Sequence, residues 1–200
     1  MTEAEWLLCR DPLTMLDFLR SCGAASDRQL RLFGVACSRR VWDRLDDLGR
    51  AAVELAEQFA DGLTGPEELR AARLACKSAG ESAAWYAAAS SPVVAARNAV
   101  LSAQSAPHSS QECAVQADLL RDIVGNPFRA PPAVEPAWKD GRVISLAGAI
   151  YEERDFSSAR MRLLADALEQ AGCGDEELLG HCRRQGIHCR GCFVVDLLRG

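Results

Sequence analysis

Signals that start an α-helix recur along this chain at short intervals, and nothing of strand character competes with them. Thr2 with Glu5, and Ser26 with Gln29, have capping-box spacing, in which a hydroxyl at the helix entrance and a carboxylate or amide three residues on satisfy each other's backbone N–H groups. Asp11–Pro12, Thr64–Gly65–Pro66–Glu67 and Ser91–Pro92 each offer a cap followed by a first-turn proline, and Ser109 with Glu112 repeats the box. Gly62, Gly125 and Gly172 stand where helices should stop. Composition agrees, because Ala takes 33 positions and Arg supplies 21 of the 23 basic residues, both strong helix formers.

Between these signals, Leu30, Phe33, Cys37, Val41 and Leu45 recur at three or four residues and predict the core face of one long helix entered at Ser26. Asp47 is expected to cap the next, which carries Val53, Leu55, Ala56 and Phe59. A helix with an alanine interior should run from Pro66 toward Ser90. Trp85 and Tyr86 amid small residues there imply close helix approach, with the rings packed on neighbours. Residues 125–138 hold four prolines in fourteen positions, which excludes a helix interior and favours an extended, partly polyproline crossing pinned by Phe128, Val134 and Trp138, with a turn at Lys139, Asp140 and Gly141. Shorter helices follow over 142–154, 158–171, 175–184 and 191–198. The expected fold is all-α, an irregular multi-helix bundle of about eight to ten helices with a proline-rich strap before a C-terminal helical subdomain. Its parts are an N-terminal bundle over 1–125, the strap over 126–141 and the subdomain over 142–200, packed as one compact unit.

A net charge of −5 gives no overall field to draw nucleic acid or an anionic membrane. Arg39, Arg40 and Arg44 beside Trp42 form one local candidate for nucleic acid, and Arg183, Arg184 and Arg190 another. Asp43, Asp46 and Asp47 accompany the first and Asp175, Glu176 and Glu177 the second, as on solvated helix faces. Acidic residues near the N-terminus and the absence of a long apolar run point to a soluble cytoplasmic protein with no membrane partner. Nine irregularly spaced cysteines fit a reducing compartment. Cys9, Cys22, Cys37, Cys76 and Cys113 sit among apolar residues on helices and read as packing. No phosphate loop, nucleophile elbow, HExxH pair or dinucleotide fingerprint is present.

One stretch carries site chemistry. HCRRQGIHCRGC holds His181, Cys182, His188, Cys189 and Cys192 within twelve residues, and Cys173 lies nine residues before Cys182. Zinc takes Cys thiolates and His imidazoles, often two from a C-x-x-C knuckle, which Cys189 and Cys192 provide. The partners would come from Cys173, His181, Cys182 or His188, so the candidate metal ligands are a subset of these six. Two other readings use the same residues. Cys189 and Cys192 could form a redox dithiol with Arg190 beside it, or Cys192 could be a nucleophile with His181 or His188 as base. The plain alternative is histidines that lock a turn and cysteines that pack. Glu152, Glu153, Asp155 and Asp166 could assist a reaction, but on helix ends they read as solvated.

The segments EAEWLLCRDPLTMLDFL, DRQLRLFGVACSRRVW, DLLRDIVGNPFR, AIYEERDF, LLADALEQAGC and HCRRQGIHCRGCFVVDLL together resemble a paralogue-rich family of uncharacterised bacterial proteins found beside or fused to SMI1/KNR4-type or repeat-companion modules. In that family the position of Cys189 is often aliphatic, so the resemblance shifts a metal site toward Cys173, His181, Cys182, His188 and Cys192. It implies a bacterial cytosolic protein that acts as an adaptor or recognition module, with another protein as partner, and it implies no activity. The leading expectation is therefore a non-enzymatic helical interaction module with a structural metal, zinc being the ion such donors suit. A metal- or thiol-dependent enzyme built on the same cluster is the alternative.

Overall fold

A computed structural model describes the chain except residues 77–82, 104–108, 131 and 140. Among the described residues there are twelve α-helices and no strand, so the all-α expectation holds with more helices than eight to ten. The chain divides into two compact units, Met1–Pro127 and Phe128–Gly200.

The first unit contains α1 (Glu3–Leu8), α2 (Pro12–Cys22), α3 (Asp27–Arg39), α4 (Asp47–Ala60), α5 (Pro66–Cys76), α6 (Ala83–Ala87), α7 (Pro92–Ala103) and α8 (Ser109–Val124). The capping boxes form as spaced: Thr2 and Ser26 accept from the backbone N–H of Glu5 and Gln29, whose side chains accept in return. Asp11 caps α2 ahead of Pro12. Asp46, not Asp47, caps α4, its carboxylate accepting from Gly49 N–H at 2.8 Å. The stripe that predicted one helix from Ser26 past Leu45 spans two elements, because α3 ends at Arg39 and a 3-10 turn, Trp42–Arg44, follows. Leu45 is still buried, so the apolar period survives a break in backbone geometry. Of the helix expected from Pro66 toward Ser90, the structure describes α5 and α6; residues 77–82 between them lie outside the described residues.

Helix α3 is central, packing on α4, α6, α7 and α8. It meets α7 closely. A Cβ on Gly34 would stand 3.3 Å from the backbone carbonyl of Ala95, and the facing Ala95, Ala96 and Ala99 are fully buried. The alanine bias thus serves backbone approach as well as helix propensity. Arg31, 3% exposed, donates through its Nη atoms to the carbonyls of Ala87 (3.2 Å), Ala89 (2.8 Å) and Ser90 (3.0 Å), and its guanidinium lies 4.8 Å from the Phe59 ring centroid. The end of a helix leaves carbonyls without partners, and here one buried arginine takes up three at the end of α6. Burial pulls its pKa below the ordinary value, with Asp27 opposing the shift. At the entry of the unit, fully buried Trp6 donates from Nε1 to the Gly125 carbonyl, while Arg121 donates to the carbonyls of Trp6 and Cys9.

Two of the three arginines of the face considered for nucleic acid are engaged by acids and a ring, and Arg44 is exposed. Arg39 pairs with buried Glu57 at 3.0 Å and stacks on Trp42; Arg40 forms a two-pronged pair with Glu112, both contacts at 2.7 Å. Trp42 is half-buried against the apolar cluster of α4, α5 and α6.

The second unit contains α9 (Gly141–Glu152), α10 (Ser158–Gln170), α11 (Glu176–Arg183) and α12 (Phe193–Arg199). The proline-rich entry is irregular up to a 3-10 turn, Pro136–Lys139, which buries Trp138. Val134 packs on the same core and Phe128 stays exposed, so two of the three expected anchors pin the strap. The turn expected at Lys139, Asp140 and Gly141 includes residue 140 and lies outside the described residues; Gly141 already opens α9.

Replacing Arg31 by Met should cost about 2–4 kcal/mol in urea unfolding, since buried carbonyls would lose charged donors. Replacing exposed Arg20 by Met should change little. Equal effects would remove Arg31 from its role as the clasp on α6.

Candidate metal centre

Local sequence brings the late imidazoles and thiol together. Asp175 caps α11, its carboxylate accepting from the N–H groups of Glu177 and Leu178, both at 2.9 Å. Arg183 holds the helix against α10 through Glu169 (2.6 Å) and Asp166 (3.3 Å). Leu178, Leu179, His181 and Cys182 are then buried, which places an imidazole where the helical period would otherwise call for an apolar residue. The chain leaves the helix at Arg184 and returns through Cys189–Arg190–Gly191–Cys192, a turn closed by the Cys192 N–H donating to the Cys189 carbonyl at 2.9 Å. Gly191 sits at φ +96°, a backbone state that a side chain would strain. Cys192 is the N-cap residue of α12 and its carbonyl accepts from Asp196 N–H at 2.9 Å.

His181 Nε2 and Cys192 Sγ lie 3.2 Å apart. The rings of His181 and His188 meet edge-on at 4.8 Å, and Phe193 stacks edge-on to His181 at 4.5 Å. Both histidines are 8% exposed and Cys192 is fully buried. The ligand atoms of His181, His188 and Cys192 all lie within 4.8 Å of one another and could hold a metal ion. In a tetrahedral zinc site, Zn–S near 2.3 Å and Zn–N near 2.0–2.1 Å put neighbouring sulfur and nitrogen donors roughly 3.5 Å apart. The His181–Cys192 separation is already on that scale. The remaining separations, up to 4.8 Å, exceed that spacing by no more than roughly 1.3 Å, a gap that modest χ rotations can close.

The other three sequence candidates do not belong to that group. Cys173 and Cys182 are buried members of the apolar core of this unit. Burial pushes the Cys173 thiol up from its ordinary pKa, against a lowering hydrogen bond from the Asp175 backbone. Cys189, half-buried, supplies the carbonyl that closes the turn. The C-x-x-C spacing therefore marks a turn with one cysteine of the donor group, and helical neighbours such as His181 and Cys182 diverge by about 100° around the axis.

One support was not legible from the sequence. Arg190 and Arg199 stack on buried Tyr151, at 4.1 and 3.5 Å from its ring centroid, and pin both the turn and the end of α12 to α9. Its sequence context places Arg190 in a solvated run, and no local signal pairs it with an aromatic residue thirty-nine positions away. The acids considered as helpers are engaged with arginines: Glu153 and Asp155 with Arg160, Glu152 with Arg199, and Asp166 with Arg183.

No protein-family model, curated protein or solved structure matches the chain. No helix among the described residues is long and apolar enough to cross a membrane.

Thiol exposure yields a direct check. Cys22 is exposed, whereas Cys37, Cys76 and Cys173 are buried and burial raises each of their thiol pKa values. A raised pKa leaves less thiolate at pH 8, so native protein should label at Cys22 with iodoacetamide well before those three, and urea should equalise the rates. Rapid native labelling of Cys173 would contradict its core placement.

Proposed function

We propose that residues 128–200 form a metal-stabilised helical interaction module, with His181, His188 and Cys192 holding zinc and the protein serving as a non-enzymatic adaptor in a bacterial cytosolic system. The observation that carries the metal assignment is the buried meeting of two imidazoles and a thiol. Burying polar groups in an apolar core is costly unless they are satisfied, and a thiolate with two neutral imidazoles is satisfied by a borderline-soft cation. When bound, zinc would fasten the end of α11 to the start of α12, joining residues that only a loop connects. Metal binding of this kind contributes directly to folding free energy.

The adaptor reading is supported by the accessibility of the site. Cys192 has no exposed surface, so a substrate has no approach to the sulfur without rearrangement. The carboxylates of Glu153, Asp155 and Asp166, which the sequence offers as helpers, are held in ion pairs with arginines. A metal-dependent hydrolase is the second reading, favoured by the ligand count: three donors from this unit leave the fourth position of a tetrahedral ion to water or to a further donor.

Elemental analysis of protein purified without added metal separates these possibilities from simple packing. Near-stoichiometric zinc is expected, falling to background in His188→Ala and Cys192→Ala but not in Cys189→Ala. Zinc removal by a chelator should lower the melting temperature of the wild type and leave Cys192→Ala unmoved. Metal-free wild-type protein with unchanged stability would overturn the assignment, and turnover of an ester or peptide abolished by the same variants would favour the hydrolase.

A further inference from the structure

The first unit holds a cavity of about 500 Å³ lined mainly by α5 and by the α6 segment with the turn after it. Small-molecule sites commonly run about 300–1,000 Å³, so this volume suits a compact ligand rather than a folded partner. Its walls include Phe59, Leu69, Leu74 and Trp85, two cations, Arg70 and Arg73, face it, and the carboxylate Glu67 lines it beside Arg70. Arg73 is the informative one. Its guanidinium lies 4.0 Å from the Trp85 ring centroid, its Nε is buried with no hydrogen-bond partner, and no carboxylate pairs with it among the described residues. Arg70 has only the exposed Glu67, at 3.7 Å.

A half-buried cation beside largely apolar walls, with no carboxylate paired to it among the described residues, is poised for a charged guest, because pairing inside a low-dielectric cleft is stronger than in water. The far wall is preorganised. Arg31 clamps the carbonyls of Ala87, Ala89 and Ser90 and stacks on Phe59, which fixes the side of the cavity opposite α5. Trp85 thus has a second use beyond the ring packing that its sequence context suggests: it orients the Arg73 guanidinium.

We infer that this cavity binds a small amphipathic organic anion, with the head group on Arg73 and the apolar body against Phe59, Leu69 and Leu74. The inference is independent of the metal centre. Titration calorimetry of the full-length protein with decanoate, decan-1-ol and decyltrimethylammonium tests it. One decanoate per chain is expected, bound at least about tenfold more tightly than the alcohol, with the ammonium weakest. Arg73→Met should reduce decanoate to the level of the alcohol, and Arg73→Lys should keep part of the preference. Should Arg73→Met fail to fold, Leu74→Asp, at an exposed rim position, should weaken decanoate about tenfold through repulsion. Equal binding of the three probes, several decanoates per chain, no binding, or variants that keep the wild-type preference would each overturn the inference.

Discussion

An imidazole nitrogen and a thiol sulfur 3.2 Å apart inside an apolar core are the contact on which the second unit turns. His181 lies in the last turn of α11 and Cys192 is the N-cap of α12, so whatever holds these two atoms also sets the angle at which the last two helices close over α9 and α10. Hydrophobic burial alone would be indifferent to a small slide of α12, since Val194, Val195 and Leu198 can find apolar neighbours in several positions. A polar contact between fixed atoms has no such latitude. His188, brought in from the connecting loop, and the stack of Arg190 and Arg199 on Tyr151 fix the same junction from other directions.

The first unit solves a comparable problem with different chemistry. Its helices approach closely through Gly34 and a run of alanines, which leaves little side-chain volume to specify their placement. Buried arginine supplies the specificity instead. Arg31 collects three carbonyls at the end of α6, and Arg39 and Arg40 tie α3 to Glu57 and Glu112 on α4 and α8. A chain rich in arginine and poor in lysine suits this use, since the planar guanidinium can serve several acceptors and stack on a ring at once.

Most of the helical order was legible because it is written locally. Capping boxes at Thr2 and Ser26, prolines at the first turns of α2, α5 and α7, and the glycines after α4, α8 and α10 act over three or four residues. Where the signal was only periodic it misled. The stripe from Leu30 to Leu45 keeps its face across the end of α3, because a 3-10 turn can carry apolar residues to the same core. The cap at Asp46 rather than Asp47 is a choice between adjacent identical residues that only backbone geometry decides. At the candidate metal centre, sequence density points to a stretch that supplies three donors lying close together, His181, His188 and Cys192, but does not say which of its members meet. Cys182 adjoins His181 yet lies in the apolar core, as does Cys173 upstream, while His188 reaches the group from a loop whose path no propensity describes.

X-ray absorption at the zinc edge of the protein as isolated tests the metal centre most directly. A centre built by His181, His188 and Cys192 predicts one sulfur near 2.3 Å and two imidazole nitrogens near 2.0–2.1 Å, with the sulfur shell lost in Cys192→Ser. A spectrum with no zinc, with two or more sulfurs, or with a sulfur shell that survives in Cys192→Ser would contradict it.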